Sequence, residues 1–441
     1  MAIDLSDHFV IEGGVPLKGE VHPAGNKNAA LPALAACLLT DGTITLRNMP
    51  AIQDVETMGK LLERVGVRVE RPDPNTWVLA ASDIDGAISD QMTPDLFRAI
   101  RGSILMAGPL LGRQGHFAIP APGGDVIGRR RVDTHFLAFR ALGATVEVRD
   151  GRFHVEASEL RGTDILLDEA SVTGTENALM ASVLAQGTTI IRNAASEPHV
   201  QDLCHLLRAM GASISGIGTN TLQVEGVSDL HGAEYEIGSD HIEVGSYIAL
   251  AAATGGELTI RDARPGNLRM ILQTFERLGI HTEIRGDDLF VPSTQRLEIV
   301  PDMGGAIPSV ADAPWPAFPP DLMSIALVAA TQCEGVVLFH EKMFESRLFF
   351  VDKLIPMGAR IVLCDPHRAL VYGPSDLSGD VMESPDIRAG MAMVIAALAA
   401  EGTSVIHNIR QIDRGCAHLE PKLLPLGARI ERCSREVCEG H

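Results

Sequence analysis

The chain has 441 residues, of which 37 are lysine or arginine and 57 are aspartate or glutamate, so its formal net charge is −20. A chain of this length exceeds what one hydrophobic core usually supports, and two domains are therefore expected. The acidic balance argues against nucleic acid as a partner, because binding to a phosphate backbone requires a basic surface.

Three further features predict a protein of the cytoplasm. The sequence has no run of eighteen or more apolar residues free of charge, so no membrane span is predicted. Its first residues, MAIDLSDHF, include acids and lack the basic stretch of a secretory signal. The seven cysteines are an odd number without a CxxC pair, which fits a reducing compartment and predicts no metal site.

A pattern of apolar helix, glycine, strand, helix and second glycine occurs six times along the chain. The first glycines of the copies are Gly42, Gly115, Gly187, Gly256, Gly335 and Gly402. The second glycines are Gly66, Gly143, Gly211, Gly279, Gly358 and Gly427. A period of about seventy residues indicates a repeated supersecondary unit.

The third copy illustrates the elements of one unit. TENALMASVLAQG predicts an apolar helix that ends at Gly187, where a left-handed glycine is favourable. TTIIRNA predicts a strand, PHVQDLCHLLRAMG a second helix, and SISGIG with TLQVEG a hairpin. Because the first helix is apolar on nearly every face, we expect it inside a domain. Three units around three buried helices make one domain, and six make two.

Each of the six apolar helices carries a charged residue in its first turns. These residues are Lys27, Arg101, Glu176, Glu243, Asp321 and Arg388. Helix N-termini present free N–H groups that suit phosphate or carboxylate. A single acid in this place is more simply explained as a cap or a solvated helix start. The three basic residues fit the helix dipole poorly, and they therefore favour a site for an anion.

Two other segments concentrate unusual residues. Residues 120–135, PAPGGDVIGRRRVDTH, carry three glycines, Asp125 and three consecutive arginines. They predict a mobile basic loop that closes over an anionic ligand, with a solvated surface loop as the alternative. Residues 312–324, DAPWPAFPPDLMS, predict an extended approach that fixes Asp321 at the mouth of a helix, or else a wall that serves packing alone.

These segments resemble the UDP-N-acetylglucosamine enolpyruvyl transferases, the 1-carboxyvinyltransferases of the MurA type, which are relatives of the shikimate-pathway enolpyruvyl transferase. The matching motifs are GNKNAALPALAA, PGGDVIGRRRVDTH, AASEPHVQDL, PAFPPDL, FESR and IDRG. The resemblance implies an α/β (α+β) fold, a two-domain inside-out α/β barrel with six βαβαββ units, three per domain. It implies a first domain at 27–238 that carries the loop 120–135, a second at 1–26 plus 239–441, and an active site between them.

The resemblance also implies a reaction. The enolpyruvyl group of phosphoenolpyruvate passes to the 3-hydroxyl of UDP-N-acetylglucosamine and phosphate is released, as the first committed step of peptidoglycan synthesis. No metal or organic cofactor is implied, and the partners are these two small molecules, with no nucleic acid and no membrane. A monomer or a weak homo-oligomer is expected. The reaction needs one group to protonate phosphoenolpyruvate, one to deprotonate the sugar hydroxyl, and cations to hold the phosphate and carboxylate.

Motif positions carry the family's functional residues onto this chain. The implied catalytic residues are Asp125, Asp321, Lys27 and Arg414, with Asp125 as the acid and Asp321 as the base at the sugar hydroxyl. Lys27 and Asn28 are implied to contact the reacting groups, while Arg101, Arg130, Arg388 and Arg414 hold phosphoenolpyruvate or its intermediate. Glu197 is implied to line the site, and Arg347 to face the cleft. Residues implied to bind the nucleotide half are Arg130, Arg131, Val132, Asp133, Thr134, Ser171, Val172 and Thr173.

Three positions depart from the family's pattern. Asp125 stands where most members have the cysteine that fosfomycin alkylates, so fosfomycin should fail, while an aspartic acid of raised pKa can still donate a proton. Arg131 replaces the usual proline and His241 the usual arginine, which leaves another nucleotide acceptor such as UMP possible. A non-catalytic binding paralogue is a further alternative. His135 could contact the substrate or orient a neighbour.

Overall fold

The structure, a computed structural model, describes residues 7–82, 84, 94–124, 131–416 and 418–434. Asp125 and Arg130 of the predicted site lie outside these ranges. The described residues from Gly25 to Gly238 form one compact unit (unit I), and those before Gly25 or after Gly238 form a second (unit II). None of the described helices combines the length and the hydropathy that crossing a membrane requires.

Unit I contains three sheets among the residues described. Their strands, in spatial order, are Ala233–Glu236, Ile44–Arg47, Thr76–Ala80 and Arg68–Asp73; His116–Pro120, Arg152–Glu156 and Thr145–Arg149; and Ser213–Ser215, Thr221–Glu225, Thr188–Arg192 and Asp164–Leu166. The α-helices are Lys27–Ala36, Gln53–Arg64, Pro94–Ala99, Ala107–Gln114, Asp133–Ala141, Val172–Ser182 and Pro198–Ala209, and the 3-10 segments are Cys37–Leu39 and Arg101–Met106.

Unit II repeats this plan with three four-stranded sheets in the described ranges. Their strands, in spatial order, are Glu283–Arg285, Asp288–Val291, Glu257–Ile260 and Lys18–Val21; Ser309–Ala311, Gly335–His340, Arg368–Gly373 and Arg360–Asp365; and Val381–Glu383, Thr403–His407, His8–Glu12 and Arg429–Cys433. The α-helices are His241–Ala253, Arg269–Arg277, Met323–Ala330, Val351–Leu354, Ile387–Ala399, Arg410–Asp413 and Leu419–Leu423. The 3-10 segments are Pro265–Asn267, Met303–Gly305, Pro320–Leu322, Arg347–Phe350 and Leu424–Leu426.

The core of each unit is built from apolar helices, with the sheets outside them. In unit II the helices His241–Ala253, Met323–Ala330 and Ile387–Ala399 contact one another in all three pairs. In unit I the helix Val172–Ser182 is buried from Gly174 onward and packs against Ala107–Gln114. A helix that is apolar on every face removes the most apolar surface from water when it lies at the centre of a domain. This arrangement confirms the predicted inside-out α/β fold with three repeats in each unit.

The beginning of the described chain completes two sheets of unit II. The strand His8–Glu12 lies between Thr403–His407 and Arg429–Cys433 and is antiparallel to both. The strand Lys18–Val21 then pairs in parallel with Glu257–Ile260. Because both strands add to sheets formed by distant sequence, the N-terminal segment belongs to the fold of unit II.

In the third repeat the two glycines have different roles. Gly211 (φ 105°) closes the helix Pro198–Ala209 as predicted, since its N–H donates to Arg208 O at 3.0 Å and the next N–H donates to Leu207 O at 2.9 Å. The prediction that the preceding helix ends at Gly187 is wrong. That helix ends at Ser182, whose carbonyl accepts from Ala185 N–H in a turn, and left-handed Gly187 lies just before the next strand.

At Gly108 two core helices of unit I, Ala107–Gln114 and Val172–Ser182, approach one another closely. Its N–H donates to the Asn177 side-chain oxygen at 2.7 Å. A Cβ at Gly108 would lie 2.5 Å from the Asn177 carbonyl oxygen and 2.8 Å from its Oδ1. Backbone cannot move away from such an overlap without separating the helices.

We therefore expect Gly108→Ala to lower the free energy of unfolding by about 1–3 kcal/mol, the usual cost of overpacking. Denaturant unfolding followed by circular dichroism measures the change. Gly266→Ala is the control, because a Cβ there meets no atom within 4 Å and the residue is exposed. Equal unfolding midpoints for the two variants would contradict this picture of the helix contact.

Candidate functional site

In unit II, one carboxylate lies between two arginines. Asp321 Oδ2 is 2.9 Å from both Nε and Nη2 of Arg388, and its Oδ1 is 3.1 Å from Arg347 Nη1. The side chains of Arg347 and Arg388 are 5% and 11% exposed, and that of Asp321 is 26% exposed. Burial opposes the charge of Arg388, but the carboxylates of Asp321 and Asp240 outweigh it and raise the pKa of Arg388. The structure thus brings together three residues of the predicted site.

Local structure holds both arginines in place. Arg388 is the second residue of the helix Ile387–Ala399, and the capping residue Asp386 accepts from its N–H at 2.8 Å. The cap and the ion pair with Asp321 offset the unfavourable position of a cation at a helix N-terminus. Arg347 donates from Nη1 to the carbonyl oxygen of Pro320 at 3.2 Å. Arg347 therefore contacts both Asp321 and the backbone that precedes it.

The segment in front of Asp321 folds back on itself, so the prediction of an extended approach over 312–324 is wrong. Asp312 and Phe318 pair as an isolated bridge, and Ala313 N–H donates to the Phe318 carbonyl at 3.3 Å. These contacts across six residues override the extended preference of the prolines. Asp321 itself lies in a 3-10 turn directly before a buried helix, at the helix mouth as predicted.

His241, which stands at the position of the family's arginine, is a buried residue at the start of the helix His241–Ala253. Its ring meets the edge of Trp315 with centroids 6.0 Å apart. Burial lowers the pKa of His241 although the carboxylate of Asp240 is nearby. A neutral ring therefore occupies this position at pH 7.

Arg414 of the IDRG motif follows the short helix Arg410–Asp413 and donates from Nη1 to Gln411 Oε1 at 3.0 Å. The adjacent Asp413 forms an ion pair of 2.7 Å with Arg432. Because Arg432 belongs to the last described strand, that strand helps to position the motif.

In unit I, Lys27 is the first residue of the helix Lys27–Ala36, which Asn26 caps by accepting from Ala29 N–H at 3.0 Å. Lys27 Nζ lies 3.2 Å from Oδ2 of Asp54, whose side chain is 7% exposed. Asp54 compensates the lysine charge at a helix end that disfavours it. The half-buried Asn28 follows in the same first turn.

Arg131 and Thr134, at the end of the predicted loop, share one carboxylate. Asp168 accepts from Thr134 Oγ1 at 2.6 Å and from Arg131 Nη2 at 2.9 Å. The hydrogen bond from Thr134 and the charge of Arg131 keep the pKa of Asp168 below its ordinary value. Arg131 also contacts Asp133, and its carbonyl accepts from Arg101 Nη2 at 2.8 Å. Asp168 is the residue that aligns this predicted nucleotide-binding stretch.

A buried histidine links this stretch to Thr173. Asn177 donates from its amide to His135 Nδ1 at 2.7 Å, and His135 Nε2 lies 3.2 Å from Thr173 Oγ1. These partners fit a neutral ring that accepts at Nδ1 and donates from Nε2. Burial and then the charge of Arg101 lower the pKa of His135 to about 3. Of the two roles predicted for His135, these contacts favour orienting a neighbour.

The helix Val172–Ser182, to which Thr173 belongs, begins with predicted site residues and contains a buried acid. Ser171 caps the helix by accepting from Gly174 N–H at 3.2 Å. Glu176 is 1% exposed, and its Oε1 receives no hydrogen bond within the described part of the chain. Burial, and then the neighbouring Glu197, raise the pKa of Glu176 well above its ordinary value. Glu176 is therefore neither a cap nor a solvated charge.

The structure thus places the described site residues in two groups, one in each unit. Unit II holds Asp321, Arg347, Arg388 and Arg414. Unit I holds Lys27, Asn28, Arg101, Arg131, Val132, Asp133, Thr134, Ser171, Val172, Thr173 and Glu197. Sequence reasoning missed Asp54 and Asp168, because each meets its cation only through the fold. No group of three or more metal-ligating side chains is found in the ranges that the structure describes.

Comparisons with known proteins extend over nearly the whole chain. The family profile described as EPSP synthase (3-phosphoshikimate 1-carboxyvinyltransferase) matches residues 11–423. A protein from Bradyrhizobium diazoefficiens described as UDP-N-acetylglucosamine 1-carboxyvinyltransferase is 57% identical, over 96% of this chain and 97% of the relative. A protein of the same description from Treponema pallidum is 54% identical, over 96% and 98%.

Two solved structures share the fold. The enolpyruvyl transferase NikO from Streptomyces tendae gives a TM-score of 0.85 at 24% identity, over 97% of this chain and 99% of that one. An EPSP synthase from Acinetobacter baumannii gives a TM-score of 0.73 at 18% identity, over 97% and 100%. At these identities the likeness concerns the fold alone.

We expect the His135 ring to stay neutral on acidification to about pH 4. In the unfolded chain a histidine protonates below about pH 6.5, so this residue's contribution to stability is present above that pH and is lost as the pH falls toward 3. NMR of ¹⁵N-histidine-labelled protein, with His135→Gln to assign the signal, measures the ionisation. A titration midpoint between pH 6 and 7 for this ring would show that the network does not favour the neutral form.

Proposed function

The chain belongs to the EPSP synthase family, among relatives described as UDP-N-acetylglucosamine 1-carboxyvinyltransferases, and from this membership we propose its reaction. It transfers the enolpyruvyl group of phosphoenolpyruvate to the 3-hydroxyl of UDP-N-acetylglucosamine and releases phosphate. The observation that carries the proposal is a sequence identity of 57% to one of these relatives, which extends over both units. The product would feed peptidoglycan synthesis, and hence cell-wall formation and cell division.

In unit II, the ion pairs and the exposure of Asp321 support the proposal. A general base must be ionised and must reach its substrate. Asp321 has two ion-pair partners that stabilise a carboxylate, and it is more exposed than either of them. We propose that it removes the proton of the sugar hydroxyl, while Arg347, Arg388 and Arg414 supply positive charge for phosphoenolpyruvate. These cations would act locally against the net charge of −20.

Unit I supplies the other groups that the reaction needs. We propose that Lys27, Asn28, Arg101 and Glu197 contact the reacting groups. The nucleotide half would bind to residues 131–134 and 171–173, whose order depends on Asp168 and His135. Asp125, outside the described residues, is proposed as the acid that protonates phosphoenolpyruvate, and Arg130, also outside them, as a further cation for the phosphate.

Other acceptors are not favoured. The curated relatives matched at 51 to 57% identity share one description, which names UDP-N-acetylglucosamine. A non-catalytic paralogue would have no reason to keep two buried arginines on one carboxylate, an arrangement that is costly when incomplete. We further propose that the protein acts in the cytoplasm, without metal or organic cofactor, as a monomer or weak homo-oligomer.

Phosphate release from phosphoenolpyruvate tests the reaction. We expect release with UDP-N-acetylglucosamine and none with UMP. Asp321→Asn, which keeps an acceptor oxygen but cannot take the proton, should lower kcat by about 10²–10⁴-fold. Asp376→Asn, an exposed acid of the same unit, is the control and should leave kcat unchanged. Circular dichroism verifies that both variants are folded, and release with UMP alone would overturn the proposed acceptor.

Fosfomycin tests the replacement at position 125. We expect no time-dependent inactivation of the wild-type enzyme, because a carboxylate is a far weaker nucleophile than a thiolate. Asp125→Cys should retain turnover and become sensitive to fosfomycin. Phosphoenolpyruvate turnover after incubation with the drug measures both, and Asp125→Ser is the control for a small polar side chain. Inactivation of the wild type at the rate of the cysteine variant would contradict the assignment.

A further inference from the structure

Two acidic side chains outside the predicted site lie buried side by side in unit II. Asp312 follows the strand Ser309–Ala311 and Glu341 follows the strand Gly335–His340. These strands are parallel neighbours, with Ala311 opposite His340. Their carboxyl ends therefore bring the two acids together, and both residues are fully buried.

Both carboxyl groups bind the loop that follows Glu341. Asp312 accepts from the N–H groups of Lys342 and Met343, at 2.5 and 3.3 Å. Glu341 accepts from Phe344 N–H at 3.2 Å through Oε1. Three consecutive N–H groups are thus held by two neighbouring acids, so the path of this loop depends on them.

The charge balance of the pair favours a single negative charge. Oε2 of Glu341 is buried and receives no hydrogen bond from the residues that the structure describes. Two ionised carboxylates in contact and away from water repel one another strongly. Burial, then the hydrogen bond and charge of Asp312, raise the pKa of Glu341 to about 9, although Arg347 acts in the opposite direction. A proton on Glu341 gives the pair one donor and one negative charge.

The loop leads directly to the predicted site. The Arg347 guanidinium lies 4.9 Å from the centre of the Phe344 ring, and its Nη1 lies 3.1 Å from Asp321 Oδ1. On the other side, Asp312 starts the segment that folds back through its bridge with Phe318 and ends at Asp321. The acid pair therefore holds both segments whose ends meet in the ion pair of Arg347 and Asp321.

We propose that Asp312 and Glu341 share one proton and form a positioning pair that sets Arg347 against Asp321. The pair does not touch substrate, and its effect on catalysis rests on the proposed function, in which Asp321 and Arg347 act at the site. Other charged or titratable groups around it are Arg347, the exposed Lys342, and His367, whose Nδ1 lies 2.9 Å from the Glu341 carbonyl oxygen.

The sign of the pH effect follows from the proton count. Between about pH 4.5 and 9 the folded protein keeps the Glu341 proton and the unfolded chain does not, so the stability from Glu341 decreases as the pH rises through this window. Glu341→Gln retains an acceptor for Phe344 and a donor for Asp312 but cannot ionise. The folding equilibrium constant of the wild type relative to Glu341→Gln should therefore fall by up to about tenfold per pH unit across the window.

Three measurements test the pair: the pH dependence of unfolding, the carboxyl infrared band, and the pH profile of kcat/KM with phosphoenolpyruvate and UDP-N-acetylglucosamine. We expect Glu341→Gln to lose a protonated-carboxyl band at pH 7 and to keep kcat/KM within about threefold of the wild type. Above about pH 9 the wild type should lose activity and the variant should not, because two charges then displace the loop. Glu341→Ala should lower kcat/KM at least tenfold.

The matched control is Glu334→Gln, since Glu334 is an exposed acid next to the same strand and should change none of these quantities. A pH-independent stability difference between wild type and Glu341→Gln, or no loss of the infrared band, would overturn the shared proton. Equal kcat/KM for Glu341→Ala and wild type would overturn the positioning role. If the wild type shows no turnover of phosphoenolpyruvate with UDP-N-acetylglucosamine, only the proposed function is overturned. The unfolding and infrared measurements still show whether Glu341 carries the proton.

Discussion

The ion-pair cluster of Asp321 with Arg347 and Arg388 is the constraint on which the rest of unit II depends. Each arginine is nearly buried, and a buried guanidinium without a counter-charge costs several kcal/mol. One carboxylate between them compensates both, so three segments that are distant in sequence must keep one geometry. The folded-back segment before Asp321 and the loop before Arg347 are best understood as supports for that geometry, and the acid pair of Asp312 and Glu341 holds both of them.

In unit I, Lys27 and Arg131 are also compensated by carboxylates, but each by a different one. Lys27 begins a buried helix, where its charge is unfavourable, and Asp54 with the Asn26 cap makes the position tolerable. Asp168 aligns Arg131 and Thr134, and the neutral His135 holds Thr173. In each unit one cation of the predicted site, Lys27 or Arg388, stands in the first turn of a helix whose later residues are apolar and largely buried. The core supplies rigidity, and the helix ends carry the groups proposed to act on substrate.

Sequence reasoning performed best where the signal was local. A stretch that is apolar on nearly every face predicted the core helix that the structure places at Val172–Ser182, and the second glycines predicted helix ends such as Gly211. It failed at two local details and wherever a contact between distant segments decided the outcome. Gly187 lies beyond the helix it was expected to close, and residues 312–318 turn back because Asp312 pairs with Phe318. Asp54 and Asp168 carry no local sign of their roles, since each acquires its partner only through folding.

The sequence by itself determined the repeat, the buried helices, the family and the residue types at the helix starts. The repeat and the buried helices follow from periodicity and composition, and the family follows from the resemblance of its motifs, all of which are visible in neighbouring residues without reference to the rest of the chain. Only the tertiary structure decided which acid compensates which cation, which histidine is neutral, and that Asp312 meets Glu341. These outcomes depend on burial and on distances of a few ångströms between segments far apart in sequence, because the Coulomb energy and the cost of desolvation are both set by that local environment.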